Sequence, residues 1–178
     1  SNEGTGKNYG IELTLDKFFS NDYYFLVTSS LYQSRYTGID NIERNTRFNG
    51  NYIFNFVGGK EFKLGGSRLQ TLNINARIIY AGGKREAPIN ITSSREMGYT
   101  VRDFNRNYEE KLEDYKRLDL GISYKKNKIH TAYTISVNVQ NVFGVENVYG
   151  KFYIPEEDAI FSATQLGIFP NISYKLDF

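Results

Sequence analysis

Residues 131–140 read TAYTISVNVQ. Counting by two separates Tyr133, Ile135, Val137 and Val139 from Thr134, Ser136, Asn138 and Gln140. Helical spacing of about 3.6 residues would scatter the four apolar side chains around a cylinder, whereas a strand puts them on one face. The last stretch, PNISYKLDF at 170–178, alternates the same way. Pro170, Ile172, Tyr174, Leu176 and Phe178 lie against Asn171, Ser173, Lys175 and Asp177, up to the final residue. Termini are usually polar and frayed, so a strand pattern ending on Phe calls for a reason.

Outward from these two stretches the period of two continues, and about seven strands are predicted. They cover roughly 8–19, 22–36, 49–62, 69–81, 115–125, 131–143 and 165–178. On the first, Tyr9, Ile11, Leu13 and Leu15 alternate with Gly10, Glu12, Thr14 and Asp16. The third sets Tyr52, Phe54 and Phe56 on one side. The fourth sets Leu72, Ile74, Ala76, Ile78 and Tyr80 against Asn73, Asn75 and Arg77. The fifth sets Leu118, Leu120, Ile122 and Tyr124 against Asp119, Gly121 and Ser123. In the second, YYFLVTSSLYQSRY, neither face is plainly polar.

The connections alternate too: SND, a loop near 37–47, LGGS, a long stretch near 83–114, KKNK, and a loop near 144–164. An up-and-down antiparallel chain places successive connections at opposite ends, so all short turns fall at one end and all long loops at the other. That is the layout of outer-membrane barrels. Most predicted strands reach or exceed the ~9–11 residues of a tilted membrane-crossing strand, against ~5–6 in soluble sheets. Asn73, Asn75, Arg77, Thr134, Ser136, Asn138 and Gln140 suit a wet lumen. A soluble antiparallel sheet with one solvated face gives the same alternation and stays open as a reading. The expected fold class is all-β: an antiparallel up-and-down meander of about seven long strands, part of a transmembrane β-barrel.

Composition bounds the function. The chain has 178 residues, net charge +2, one histidine and no cysteine, which excludes disulfides and thiolate chemistry. Fifteen Tyr and thirteen Phe coexist with a mean hydropathy of −0.50, as a polar lumen and polar loops around an aromatic-rich wall would give. The mild charge and the lack of a basic stripe argue against nucleic acid. No apolar run approaches the ~20 residues of a spanning helix, and SNEGTGKNYG carries no signal-peptide pattern.

In order, NYGIELTLDKFFSNDYYF, RNTRFNGNYIFNFVGGKEF, YAGGKREAPI, YKRLDLGISYKKN, VNVQNVFGVENVY and LGIFPNISYKLDF resemble the C-terminal part of a TonB-dependent outer-membrane receptor, of the kind abundant in Bacteroidota. The resemblance spans nearly the whole chain, 1–178, as one barrel segment. It implies the outer membrane of a Gram-negative bacterium and energy-coupled uptake of a large nutrient: a siderophore, cobalamin, glycan or peptide. The implied partners are outer-membrane lipid and lipopolysaccharide, the barrel-assembly machinery, and the TonB complex through an N-terminal part. It also supplies a reason for the terminal aromatic. Tyr174, Leu176 and Phe178 become the membrane-insertion signal, and an aromatic strand end sits well in an interfacial girdle. Such receptors close about 22 strands around a plug, so seven strands with no plug and no TonB box are read as a fragment. Two other readings remain: a soluble or surface β-domain binding carbohydrate, and a small autonomous outer-membrane barrel. An eight-stranded barrel would need one further strand from 37–47 or 83–114.

No catalytic residues, cofactor or metal site are expected. GTG and AGG lack the GK[ST] and strand–loop–helix setting of a phosphate loop. The acidic groups Glu109, Glu110, Glu113, Asp114 and Glu156, Glu157, Asp158 lack calcium-loop spacing and read as solvated charge. His130 sits at a short turn. NIT at Asn90 and NIS at Asn171 match a glycosylation pattern with no bearing in a bacterial setting. The candidate ligand-binding residues are Arg77, Asn138 and Gln140 in the lumen and Tyr99, Tyr108 and Tyr153 in the loops, with Tyr149 beside them. The run Lys84–Arg85–Glu86 at the head of the longest loop is a candidate for contact with an anionic ligand or lipopolysaccharide.

Overall fold

The computed structural model describes residues 4–66 and 69–178; Ser67 of the LGGS turn and the first three residues of SNEGTG lie outside the described residues. Twelve strands follow in chain order: β1 (Thr5–Ser20), β2 (Tyr23–Thr37), β3 (Glu43–Asn45), β4 (Tyr52–Lys63), β5 (Gln70–Ala81), β6 (Arg85–Glu86), β7 (Glu110–Lys111), β8 (Tyr115–Asn127), β9 (Ala132–Gln140), β10 (Val148–Ile154), β11 (Ala159–Thr164) and β12 (Phe169–Asp177). One short helix, α1 (Ile91–Met97), lies between β6 and β7. Seven of the strands form an antiparallel meander in the order β1-β2-β4-β5-β8-β9-β12, with β3 folded back on β2. The sheet is open: β1 and β12 do not pair, so the chain by itself closes no barrel.

The connections sort as the alternation predicts. Short links at 21–22, 64–69 and 128–131 share one end, and long links at 38–51, 82–114 and 141–168 share the other. Asn21 and Asp22 both take positive φ, 53° and 64°, the conformation a two-residue hairpin needs to match strand twist. The KKNK turn is displaced. β8 runs on through Lys125, Lys126 and Asn127, because Lys126 still pairs with Gln70, and the reversal falls at 128–131.

The first strand starts at Thr5 rather than 8, and three other boundaries differ for local reasons. The third predicted strand starts at Tyr52 rather than 49, because Asn51 takes φ +77°. The sixth ends at Gln140 rather than 143, because Asn141 turns the chain with φ +52°. The last begins at Phe169 rather than 165, because the Gln165 amide donates to the Asn147 carbonyl at 2.9 Å and belongs to the loop.

The register decides what each face presents. Leu15, Val27, Phe56, Ile78 and Leu118 lie in one row across five strands. Ile74, Ile122, Val137 and Ile172 lie in another. On the opposite face Asn75, Gly121, Asn138 and Asn171 form a row, with Asn73, Ser123, Ser136 and Ser173 beside it. The second strand, ambiguous in sequence, resolves by register. Phe25, Val27 and Leu31 join the apolar face, while Thr28, Ser30 and Ser34 join the polar one. Tyr24 and Leu26 fall on the polar side near the short turn; the Tyr24 ring lies over Gly59, where a Cβ would come within 2.8 Å of Tyr24 Cε1.

Among the described residues no second layer covers the apolar face. The buried apolar residues among those described are Ala87, Leu112 and Tyr153, all in the connections at the long-loop end. Ile11 and Ile172, by contrast, are 76% and 75% exposed. The apolar surface of this protein is a sheet face, not an interior.

Two glycines fix how the loops sit on the strand ends. A Cβ at Gly82 would overlap the Gly50 carbonyl, and one at Gly83 would overlap the Leu112 carbonyl. Gly167 has nothing within 4 Å. Gly82→Ala is therefore expected to destabilise the folded chain by about 1–3 kcal/mol, and Gly167→Ala to stay within about 0.5 kcal/mol of the parent, by denaturant unfolding.

Candidate functional site

The polar face and the loops above it meet where β8, β9 and β12 reach the long-loop end. Arg117 and Asp119 are two apart on β8 and so share the polar face. Arg117 Nε donates to Asp119 Oδ1 at 2.6 Å and Nη2 to Oδ2 at 2.8 Å, a two-pronged pair. Nη2 also donates to Gln140 Oε1 at 2.9 Å, and the Asn141 amide donates to Asp119 Oδ1 at 2.9 Å. Arg77 stands opposite Asp119 in the β5–β8 register. Lower on the same face, Asn138 and Asn75 converge over Gly121, where a Cβ would lie 2.5 Å from Asn138 Oδ1 and 2.6 Å from Asn75 Oδ1. The three lumen candidates, Arg77, Asn138 and Gln140, are thus on one surface with Arg117 and Asp119. Arg117 and Gln140 also line a cavity of about 510 Å³ together with Leu166 and Phe169.

The loop candidates separate. Tyr99 follows α1 and is exposed. Tyr108, with φ +60°, packs edge-on against Tyr36 at 6.1 Å between centroids. Tyr153 is only 6% exposed; its hydroxyl donates to Asp158 Oδ1 at 2.8 Å and its amide to Thr100 Oγ1 at 2.9 Å. Its role in the structure is to bind β10 to the loop around α1. Tyr149 is exposed and lines a second cavity with Lys84 and Phe48. At the other end Tyr174 and Leu176 share the apolar face of β12 with Ile172, and Phe178 is 99% exposed.

The acidic runs disperse into pairs. Glu109 meets Arg106 at 2.7 Å, Glu110 meets Lys151 at 2.9 Å, and Asp158 meets Arg95 at 2.6 Å. Among the described residues no three carboxylate or imidazole groups gather as a metal site. Glu86 of the Lys–Arg–Glu run pairs with Arg102 at 3.0 Å. His130 is exposed in its turn.

Sequence reasoning missed the residues that hold the loops down. Asn147 is 5% exposed; its Oδ1 accepts from the Lys116 amide at 2.8 Å and its Nδ2 donates to the Lys116 carbonyl at 2.9 Å. One side chain thereby stands in for a neighbouring strand where β9 no longer accompanies β8. Asn141 accepts from the Val145 amide at 3.1 Å and donates to the Val145 carbonyl at 2.9 Å. Asn49, fully buried, accepts from the Ser34 amide at 2.9 Å and donates to Asn45 Oδ1 at 2.7 Å. A buried amide is tolerable only when so satisfied. Asparagines crowd the segments 45–51 and 138–147, which was the available signal.

Asp114 anchors the longest loop. Its Oδ2 accepts from the hydroxyls of Tyr52 and, at 3.2 Å, Tyr80; its Oδ1 accepts from the Gly83 amide at 3.3 Å. These bonds, led by that from Tyr52, hold its carboxyl below the usual aspartate range, and partial burial opposes them. A carboxyl lowered on folding contributes stability at neutral pH that is lost as pH falls below its ordinary value of about 3.9. The Asp114 carboxyl and the Gly83 amide are expected to titrate together, by NMR, at a midpoint below that value. In Asp114→Asn the Gly83 amide is expected to lose this response.

Comparison with known protein families, with curated proteins and with solved structures gave no match to this chain.

Proposed function

We propose that this chain is a segment of the wall of an outer-membrane β-barrel, with its apolar face to lipid and its polar face to the lumen. The observation that carries the reading is the uncovered apolar face, continuous through all seven meander strands and edged with aromatics at both margins. Toward the short turns the margin holds Tyr23, Phe62, Tyr124, Tyr133 and Tyr174, and toward the long loops Tyr9, Tyr52 and Tyr80. From Tyr52 to Phe62 on β4, or Leu72 to Tyr80 on β5, is eight to ten residues, about 26–33 Å at ~3.3 Å each. Tilted by ~40°, that spans ~20–25 Å, the height of the apolar band of such barrels. Lysines cap the rings where lipid would give way to water. Lys17 lies 3.8 Å from the Tyr23 centroid, Lys60 5.3 Å from Phe62 and Lys116 5.8 Å from Tyr80.

The transporter class rests on the sequence resemblance: a TonB-dependent receptor taking up a large nutrient, its wall holding the pore and its loops sharing in capture. Arg77, Asn138 and Gln140 are then lumen contacts. Tyr174, Leu176 and Phe178 are read by the barrel-assembly machinery, and lipid and lipopolysaccharide surround the apolar face. Coupling to the TonB complex belongs to the plug of such receptors.

Two measurements test the membrane reading. Refolded with and without detergent, the chain is expected to give a β-rich species only with detergent; a soluble monomer in buffer alone would sink the proposal. Leu120→Arg, midway between Lys116 and Tyr124 on the apolar face, and Ser123→Arg on the polar face place the same charge on opposite sides of β8. In a bilayer the first is expected to cost about 2–4 kcal/mol and the second little. Equal, small effects would mean that both faces meet water.

A further inference from the structure

A second polar feature lies outside the lumen face. Arg47, Arg85, Glu86, Arg102, Phe104 and Tyr108 line a cavity of about 350 Å³ in the loop layer. Three guanidinium groups there face one carboxylate, and that carboxylate is taken. Glu86 Oε2 pairs with Arg102 at 3.0 Å and accepts from the Lys151 amide at 3.3 Å. Arg102 is engaged too, donating to the Ala87 carbonyl at 2.8 Å and the Lys151 carbonyl at 2.7 Å.

The other two arginines are not neutralised. Arg85 is part-buried; its Nε donates to the Asn49 carbonyl at 3.0 Å and Nη1 to the Glu109 carbonyl at 3.3 Å. Those contacts aim the guanidinium without cancelling its charge, and its Nη2 has no partner among the described residues. Arg47 is exposed, and its contact is with the Phe48 ring, 5.9 Å from the centroid. Burial and the nearby Arg35 both press the Arg85 pKa downward, the mark of a cation lacking a counter-charge. The Arg85 amide donates to the Arg47 carbonyl at 2.8 Å, so the two residues are held together. Phe104, 71% exposed, and Tyr108 line the same cavity.

We propose that this loop cavity binds an oxyanion, the carboxylate or sulfate of a ring-bearing solute, between Arg47 and the free Nη2 of Arg85. Arginine forks match such groups two bonds at a time, and charge-assisted bonds of this kind are the strong ones. Arg102 and Glu86 shape the cavity floor. Phe104 and Tyr108 take the ring that carries the anion. As a capture site for a transported nutrient the assignment rests on the transport reading, but oxyanion binding itself does not, so the two fail separately.

The test uses the whole chain in whichever medium, buffer or neutral detergent micelles, gives the β-rich species. Sodium glucuronate and sodium sulfate are titrated in separate arms at constant ionic strength, with chloride as the counter-titrant. Side-chain Nε–H resonances of the arginines report binding. Saturable shifts at Arg85 and Arg47 are expected, with affinity weakened about tenfold or more in Arg47→Gln and in Arg85→Gln. Arg95→Gln, at the Asp158 pair outside the cavity lining, is expected to bind as the parent does. Tighter binding of glucuronate would assign a carboxylated ligand, and tighter binding of sulfate a sulfated one. Arg47→Gln is exposed and keeps the test sound should Arg85→Gln fail to fold. Absence of a saturable shift in the parent chain, or binding undiminished in a folded Arg47→Gln, would overturn the proposal.

Discussion

Everything in this molecule depends on one unbroken hydrogen-bond register. Side chains on a strand alternate, so slipping any strand by one residue would exchange its two faces. From Leu15 on β1 to Leu118 on β8, and from Ile74 on β5 to Ile172 on β12, the pairing carries apolar residues onto the same side without a slip. Among the described residues of the meander the one irregularity, between Lys17 and Ser20, falls at the short turn, past the apolar run of β1. A chain whose mean hydropathy is −0.50 thus gathers its oily residues into one continuous sheet face.

The long loops obey a different rule. They contain the residues buried most completely, and several of these are amides: Asn49, Asn141 and Asn147. Above β9 the edge of β8 would leave the Lys116 amide and carbonyl unpaired, and Asn147 satisfies both. An asparagine can do this because its side chain carries the same donor and acceptor as a peptide group. The close approaches of Gly82 to Gly50 and of Gly83 to Leu112 then seat the loops on the strand ends. Anchoring through fixed amides leaves Arg85 at the cavity directed by backbone carbonyls, with its charge uncancelled.

The strands were legible in the sequence because a period of two needs no tertiary information. TAYTISVNVQ could be assigned its faces on sight, and the structure keeps those faces. YYFLVTSSLYQSRY could not, since Tyr24 and Leu26 sit on the mainly polar side and only pairing with β1 and β4 tells which face is which. Two of the strand ends misread were those set by positive-φ asparagines, Asn51 and Asn141, because alternation runs through such a turn unmarked. For the candidate site, alternation placed Arg77, Asn138 and Gln140 on one face, but not the pairing of Gln140 with Arg117, which crosses from one strand to the next. Tyr153 read as an open loop tyrosine, and nothing in its neighbours reveals the packing against α1 that buries it.

The open sheet leaves two requirements, and together they constrain any account of its function. Strands β1 and β12 each present an outer edge of unpaired backbone groups, a template for further pairing. The apolar face needs a covering at least as long as the strands. A second sheet packed on that face would satisfy the apolar surface but leave both edges free. Such a layer would also meet Lys17, Lys60 and Lys116 at its borders, where a protein core would have to bury their charge or end. Further strands at each edge, closing a barrel within lipid, meet both requirements at once. Closure consumes the edges, lipid takes the apolar band, and the headgroup region receives the lysines and the tyrosine hydroxyls. The polar rows of Asn75, Asn138 and Asn171 then need no protein partner, because a lumen supplies water. The proposed wall is thus the arrangement in which neither face nor either edge is left at a cost.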